Sequence, residues 1–256
     1  MNTSKYKDVV ITSSYLLNKG INLLFSKDDF EVDNEIIALL DVSKMPRMIT
    51  GNTIVIHEEF GIFFVKRTTK QLMNEFVKFN KVGFLLSKSL MKYFNLKRNI
   101  PMVFGYCSYM PMSGGSRNCT DWIAIHWLND ARQYGTHAKF KTDTGLVIQM
   151  DFPNGNLHDR VHDVCFLSEH QIETLNSIVS KGNMCMFPPK YVGLLRKYDD
   201  CRCLFHKEIP VKWADVSSRF DSFERYLLNE ITKGEIESNI TQEIYHQKIY
   251  RLKKLY

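Results

Sequence analysis

His158-Asp159 and His162-Asp163 stand four residues apart, so on a helix both imidazoles fall on one face with carboxylates beside them. Two imidazoles so placed could hold a divalent metal for hydrolysis, whereas the plainer reading is a solvated helix face with local ion pairing. Further along, Cys201, Cys203 and His206 form a Cys-x-Cys-x-x-His cluster, with Cys185 upstream. It supplies three of the four soft or imidazole ligands a zinc ion takes. The spacing misses the Cys-x-x-Cys knuckle, and Asp199-Asp200 beside it predicts an exposed loop with free thiols. The His158/His162 pair likewise shows no third or fourth ligand. Gly114-Gly115 lacks both the downstream Lys-Ser/Thr and the following helix of a phosphate-binding loop, and no Gly-x-Ser-x-Gly elbow is present. The expectation is a protein with no catalytic residue, no resident metal and no required cofactor.

A different chemistry lies between Lys81 and Lys141. That stretch holds nine basic residues, Lys81, Lys88, Lys92, Lys97, Arg98, Arg117, Arg132, Lys139 and Lys141, and two acidic ones, Asp121 and Asp130, for a net charge of +7. The whole chain of 256 residues carries +6, so the remainder is nearly neutral. Surface lysines usually just solvate a face; their segregation into one segment is what points to a polyanion, with nucleic acid first. Trp122, His126, Trp127 and Tyr134 are interleaved among these cations. Trp122 and Trp127 differ by five positions on a predicted strand and so face opposite sides, leaving one for the core and one for a partner.

The elements that position these groups follow from periodicity. Residues 1–30 form a polar, helix-compatible lead-in, followed by β-like runs at Glu35–Val42, Thr53–His57 and Phe60–Val65. From Thr69 the period becomes helical, with Leu72, Met73, Phe76 and Val77 on one helix and Leu86, Leu90, Met91 and Phe94 on the next. Lys81, Lys88 and Lys92 line one face of that second helix. Tyr109–Asn118 is loop-rich, Asp121–Leu128 reads as a buried strand, and Lys139–Asp151 as a hairpin turning at Asp143-Thr144-Gly145. Two helices are predicted next, Asn156–Phe166 and Ser168–Ser180, the second opened by a Ser168/Gln171 capping box. Val216, Phe220, Phe223, Leu227 and Ile231 mark a C-terminal helix, and Ile236, Ile240 and Ile244 a last one beyond Gly234. Sheet and helix segments are segregated, which predicts an α+β fold with a mixed or antiparallel sheet, packed helices and a C-terminal helical region. The expected division is a lead-in at 1–30, a core at 31–187 and a helical region at 188–256.

Bulk numbers agree with a folded chain: 44% hydrophobic, 24% charged and 12% aromatic residues are enough for a substantial core. The N-terminal residues mix lysines and Asp8 through the apolar positions, and the longest apolar runs are far too short to span a bilayer. Six unevenly spaced cysteines do not form a disulfide framework. The expectation is a cytoplasmic protein with reduced thiols.

The segment Ile100–Asp151 resembles the ComK family of competence transcription factors. The likeness is carried by Ile-Pro-Met-Val at 100–103, Tyr-Met-Pro at 109–111, Ser-Arg-Asn-Cys-Thr-Asp-Trp-Ile at 116–123, then His126 and the hairpin. Ser87–Arg98, an amphipathic helix leading to a basic loop, is similar too, and the resemblance extends over about residues 36–187. The chain is longer than typical members, with an added lead-in, an added helix near Thr69–Asn80 and a longer C-terminal part. The resemblance implies a transcription activator binding AT-rich double-stranded DNA mainly through the minor groove, as a homodimer or higher homo-oligomer. It also implies control by a MecA-type adaptor and Clp protease, and engagement of RNA polymerase. Arg98, Arg117 and Arg132 are the candidates for groove insertion, and Lys88, Lys92, Lys97, Lys139 and Lys141 for phosphate contact. The alternatives are a metal-dependent hydrolase of nucleic acid or nucleotides acting through His158/His162, and a protein-interaction module whose basic face meets an acidic partner.

Overall fold

Among the described residues, two mixed sheets and five helices make up the fold, which is α+β. The computed structural model describes residues 6, 9–18, 24–45, 51–96, 99–114, 118–209, 213–232, 240 and 243. The strands are β1 (Val10–Ile11), β2 (Phe25–Ser26), β3 (Ile36–Asp41), β4 (Thr53–His57), β5 (Gly61–Val65), β6 (Met102–Phe104), β7 (Cys107–Pro111), β8 (Trp122–Ala124), β9 (Leu128–Tyr134), β10 (His137–Thr142) and β11 (Val147–Asp151). The helices are α1 (Ser13–Asn18), α2 (Thr69–Phe79), α3 (Lys81–Tyr93), α4 (Leu157–Lys181) and α5 (Trp213–Ile231). Among the described residues no helix is long and apolar enough to cross a membrane.

The larger sheet runs β2-β5-β4-β3-β8-β7-β6, all antiparallel except the β2–β5 pair. Its centre is unbroken apolar sequence, Ile-Ile-Ala-Leu-Leu in β3 and Gly-Ile-Phe-Phe-Val in β5, and these residues are buried on both faces. Such strands carry no alternation because neither face meets water. The smaller sheet runs β1-β11-β10-β9 and does alternate. Ala138, Phe140, Ile148 and Met150 point inward and are buried, while Lys139 and Lys141 take the intervening positions on the other face.

The N-terminal residues are less helical than their sequence suggests. Among the described residues of this stretch the α-helix is confined to Ser13–Asn18; Val10–Ile11 joins the smaller sheet in parallel with β11, and Phe25–Ser26 joins the larger in parallel with β5. Apolar pairs at short strands can satisfy a sheet edge as readily as a helix face, and the edge wins here.

Residues 157–181 form one continuous helix rather than the predicted two. Asn156 caps it, its side chain accepting the Asp159 N–H. The Ser168/Gln171 pair is not a capping box: Ser168 Oγ donates to the Gly105 carbonyl at 2.6 Å, and Gln171 Oε1 accepts the Gly105 N–H at 3.1 Å. Both side chains reach the β6–β7 turn, a partner 63 or more residues away that spacing alone cannot reveal. The capping box that does form is Thr68 with Gln71, at the start of α2.

The predicted strand Asp121–Leu128 is also corrected. It pairs only over Trp122–Ala124, then tightens into a 3-10 turn at Ile125–Trp127 before β9 begins in the other sheet. That turn lets one chain pass between sheets. Of the last predicted helix, Ile236 and Ile244 lie outside the described residues, while Ile240 and Glu243 are helical.

Gly193 sits against this turn with φ of +52°, and a Cβ there would lie 2.6 Å from the His126 carbonyl and from the Ile125 oxygen. Gly193→Ala therefore carries both left-handed strain and a backbone collision. We expect a loss of about 2–4 kcal/mol in urea unfolding, and a variant as stable as the parent would contradict this packing.

Candidate functional site: a basic groove, a basic sheet face and a thiol–imidazole cluster

The predicted basic residues occupy three settings. Lys97, Arg98 and Arg117 lie outside the described residues. Lys81, Lys88 and Lys92 share α3 but not their surroundings. Lys81 is exposed, Lys88 Nζ lies 4.7 Å from the Phe84 ring centroid, and Lys92 Nζ lies 5.5 Å from that of Tyr226 on α5. Lys92 remains exposed while passing near the C-terminal helix.

Lys88 borders a groove of about 530 Å3 between α2, α3 and the ends of β6–β8. Lys70 and Asn74 come from α2, Asn99 and Asn118 from the loops, and Trp122 from β8. No carboxylate lines it among the described residues. Met73, Val77, Phe84, Ile100, Met102 and Pro111 make the floor mostly apolar, and the two ammonium groups, three amides and partly exposed indole set into it can hold a phosphate-bearing chain and stack against its flat groups. Asn99 and Asn118 bring the two loops on either side of β6–β7 to the groove. Lys70 escaped the sequence reading because it precedes the charge-rich segment. Its only signal is its place in the first turn of α2.

Arg132, Lys139 and Lys141 lie together on the outward face of the smaller sheet. Lys139 pairs in register with Arg132, and Lys141 with Asp130. The Tyr134 ring centroid is 5.4 Å from Lys139 Nζ, while Arg132 Nε is bonded to Asp130 at 2.7 Å. The net charge of this face is accordingly smaller than its count of cations.

The aromatic residues of the segment divide as expected, though by a different route. Trp127 is buried with Nε1 donating to the Asn34 carbonyl at 3.2 Å, and Trp122 opens on the groove. His126 is structural: its ring nitrogens lie 3.1 Å from the Ser108 oxygen and 3.3 Å from the Asn34 oxygen, and burial lowers its pKa.

The metal-ligand candidates are rearranged. His158 and His162 do not converge on one point. His158 is exposed beside the Tyr198 ring, whereas His162 turns to Cys201 and Cys203, with Sγ–Nε2 distances of 3.5 Å to each. His206 Nδ1 lies 3.1 Å from Cys203 Sγ. One ligand atom from each of His162, Cys201, Cys203 and His206 falls within 4.8 Å of all the others. Cys185, the fourth ligand suggested by proximity in sequence, is exposed and absent from this group. The fourth member is His162, hidden from sequence inspection because it stands 39 positions before Cys201.

One of the segment's two acidic residues is itself perturbed. Burial, then repulsion from Asp41 and Asp151, pushes the Asp121 carboxyl up to about 6, although its Oδ1 accepts the Asp41 N–H at 2.7 Å. A carboxyl that binds its proton more tightly folded than unfolded stabilises the fold at low pH. That stability is lost as pH rises through the folded pKa. Asp121→Asn keeps an oxygen acceptor for Asp41 and cannot ionise. Its urea midpoint should match the parent near pH 4 and exceed it above about pH 6; an equal gap at both pH values would contradict the assignment.

No family model, curated protein or solved structure matches this chain, so the meaning of these sites rests on their own chemistry.

Proposed function

We propose that this chain is a DNA-binding transcription regulator that grips duplex DNA through the groove between α2, α3 and Trp122, with the β9–β10 face as a second contact. The observation that carries the reading is the groove itself, where Lys70 and Lys88 stand with Asn74, Asn99, Asn118 and Trp122 and no carboxylate lines the wall among the described residues. A small organic anion would need convergent, enclosed donors; an open trough with spread lysines and amides suits a polymer whose charge repeats along its length. Amide and lysine contacts position the phosphate backbone, and Arg132 at the edge of a twisted hairpin is placed for shape readout in a narrow, strongly negative minor groove.

Preference for AT-rich sequence, activation of competence genes, assembly as a homodimer, and dealings with an adaptor, protease or RNA polymerase belong to the same proposal through the resemblance at 87–150. Hydrolysis through His158/His162 finds no support in the geometry, since the two imidazoles serve different surroundings.

Fluorescence anisotropy with an AT-rich duplex should show binding that weakens steeply between about 50 and 200 mM salt. Lys70→Ala/Lys88→Ala should weaken binding to all sequences and flatten the logarithmic salt slope by about 2. Arg132→Ala should instead reduce the preference for AT-rich over GC-rich duplex. Absence of binding at low salt would overturn the proposal, and an unchanged slope in the double variant would move the contact out of the groove.

A further inference from the structure

We infer that His162, Cys201, Cys203 and His206 form a structural zinc site that fastens the segment after α4 to the body of the protein. The size of the cluster is the first argument. Zinc bound tetrahedrally at about 2.3 Å to sulfur and 2.0–2.1 Å to nitrogen sets sulfur–nitrogen edges of about 3.5 Å. His162 Nε2 lies 3.5 Å from each of the two sulfurs and His206 Nδ1 lies 3.1 Å from Cys203 Sγ, close to those edges, while the 4.8 Å span that holds all four ligand atoms is wider than a tetrahedron and has to close on the ion. Two thiolates and two imidazoles are the donor set that a borderline-soft d10 ion selects.

The second argument is what the other ring nitrogens do. His206 turns Nε2 to Glu169 Oε2 at 3.2 Å, while His162 turns Nδ1 to within 3.9 Å of Asp163 Oδ1. His206 thus has a carboxylate at ion-pair distance on the side away from the sulfurs, without a formed hydrogen bond, whereas the carboxylate nearest His162 lies beyond hydrogen-bond reach. A carboxylate partner fixes ring orientation and makes the metal-facing nitrogen more basic, and it is a recurrent feature of histidines that bind metal. The rings of Phe166 and Tyr198 flank the cluster, and the His162 and His206 side chains are only 15% and 4% exposed.

The third argument is mechanical. Between α4 and α5 the described chain has no regular structure beyond two short 3-10 turns, at Gly193–Arg196 and His206–Glu208. Three of the four ligands sit in this stretch and the fourth on α4, so one ion closes a loop of about forty residues that weak local structure leaves costly to order. α5 follows directly, with the Arg219 guanidinium 4.1 Å from the Tyr93 ring centroid on α3. Four protein ligands leave no open position for water, so the site is structural rather than hydrolytic.

The test uses the full chain, purified under reductant without added metal. Elemental analysis should find one zinc per chain surviving gel filtration. Apo protein prepared with a chelator and titrated with Co2+ alone should reach saturation at one equivalent, with thiolate-to-cobalt charge transfer and the intense visible bands of tetrahedral cobalt. His206→Cys should keep stoichiometric zinc with a shifted cobalt spectrum, Cys203→Ser should lose it, and Glu169→Gln should weaken zinc about 10- to 100-fold. Cys185→Ser should change nothing. Substoichiometric zinc in the parent protein, or a pale octahedral cobalt spectrum, would overturn the site. If Cys203→Ser fails to fold, the parent titration and His206→Cys still decide. None of these readouts involves DNA, so their failure is distinct from failure of the DNA-binding proposal.

Discussion

The fold depends on one helix satisfying polar groups that its neighbours leave bare. Along α4, Arg160 donates to the Pro111 carbonyl at 2.8 Å, and Ser168 and Gln171 take the carbonyl and N–H of Gly105. Gln171 also reaches Ser87 Oγ on α3 at 3.0 Å, and Cys165 Sγ donates to the Leu194 carbonyl at 3.2 Å. All five side chains are buried. An unsatisfied buried partner costs about 1–3 kcal/mol, so each contact specifies where its neighbour must lie as much as it adds stability. Through them α4 registers β7, the β6–β7 turn, α3 and the 3-10 turn at Gly193 against one axis.

Both candidate sites are consequences of that registration. The groove exists because α3 and the ends of β6–β8 are held at a set distance, with Ser87 bonded both to Gln171 and to the Val103 backbone. Lys88 follows Ser87 directly and so inherits its position. On the same helix, His162 falls one turn after His158 and faces the returning segment, where Tyr198 OH donates to the His158 carbonyl at 3.3 Å. The proposed zinc site thus completes for the C-terminal segment what hydrogen bonds do for the sheets.

How much of this was legible in the sequence depended on range. β4 matches its apolar run at Thr53–His57, and α2, α3, α5 and the β10–β11 hairpin follow their periods, because local spacing determines which side chains share a face. The errors lie where a distant partner outbids a local pattern. Ser168 and Gln171 have capping-box spacing but spend their hydrogen bonds on Gly105. The apolar run 121–128 hides a 3-10 turn, since a buried run has no periodicity to lose. Cys201, Cys203 and His206 were visible as a cluster, yet their fourth member is on a helix 39 residues upstream of Cys201 and was assigned to a different site. Lys70 has no local signal of the groove, because the groove it borders exists only once α2 folds beside α3.

The central claim is that the groove at Lys70, Lys88 and Trp122 is where DNA lies. Lysine acetylation mapped by mass spectrometry, with and without an AT-rich duplex at low salt, tests it most directly. The account predicts strong protection of Lys70 and Lys88 and lesser protection of Lys139 and Lys141, with Lys92 and the distant Lys27 unchanged. Protection spread evenly over all lysines, or confined to sites away from the groove, would contradict it.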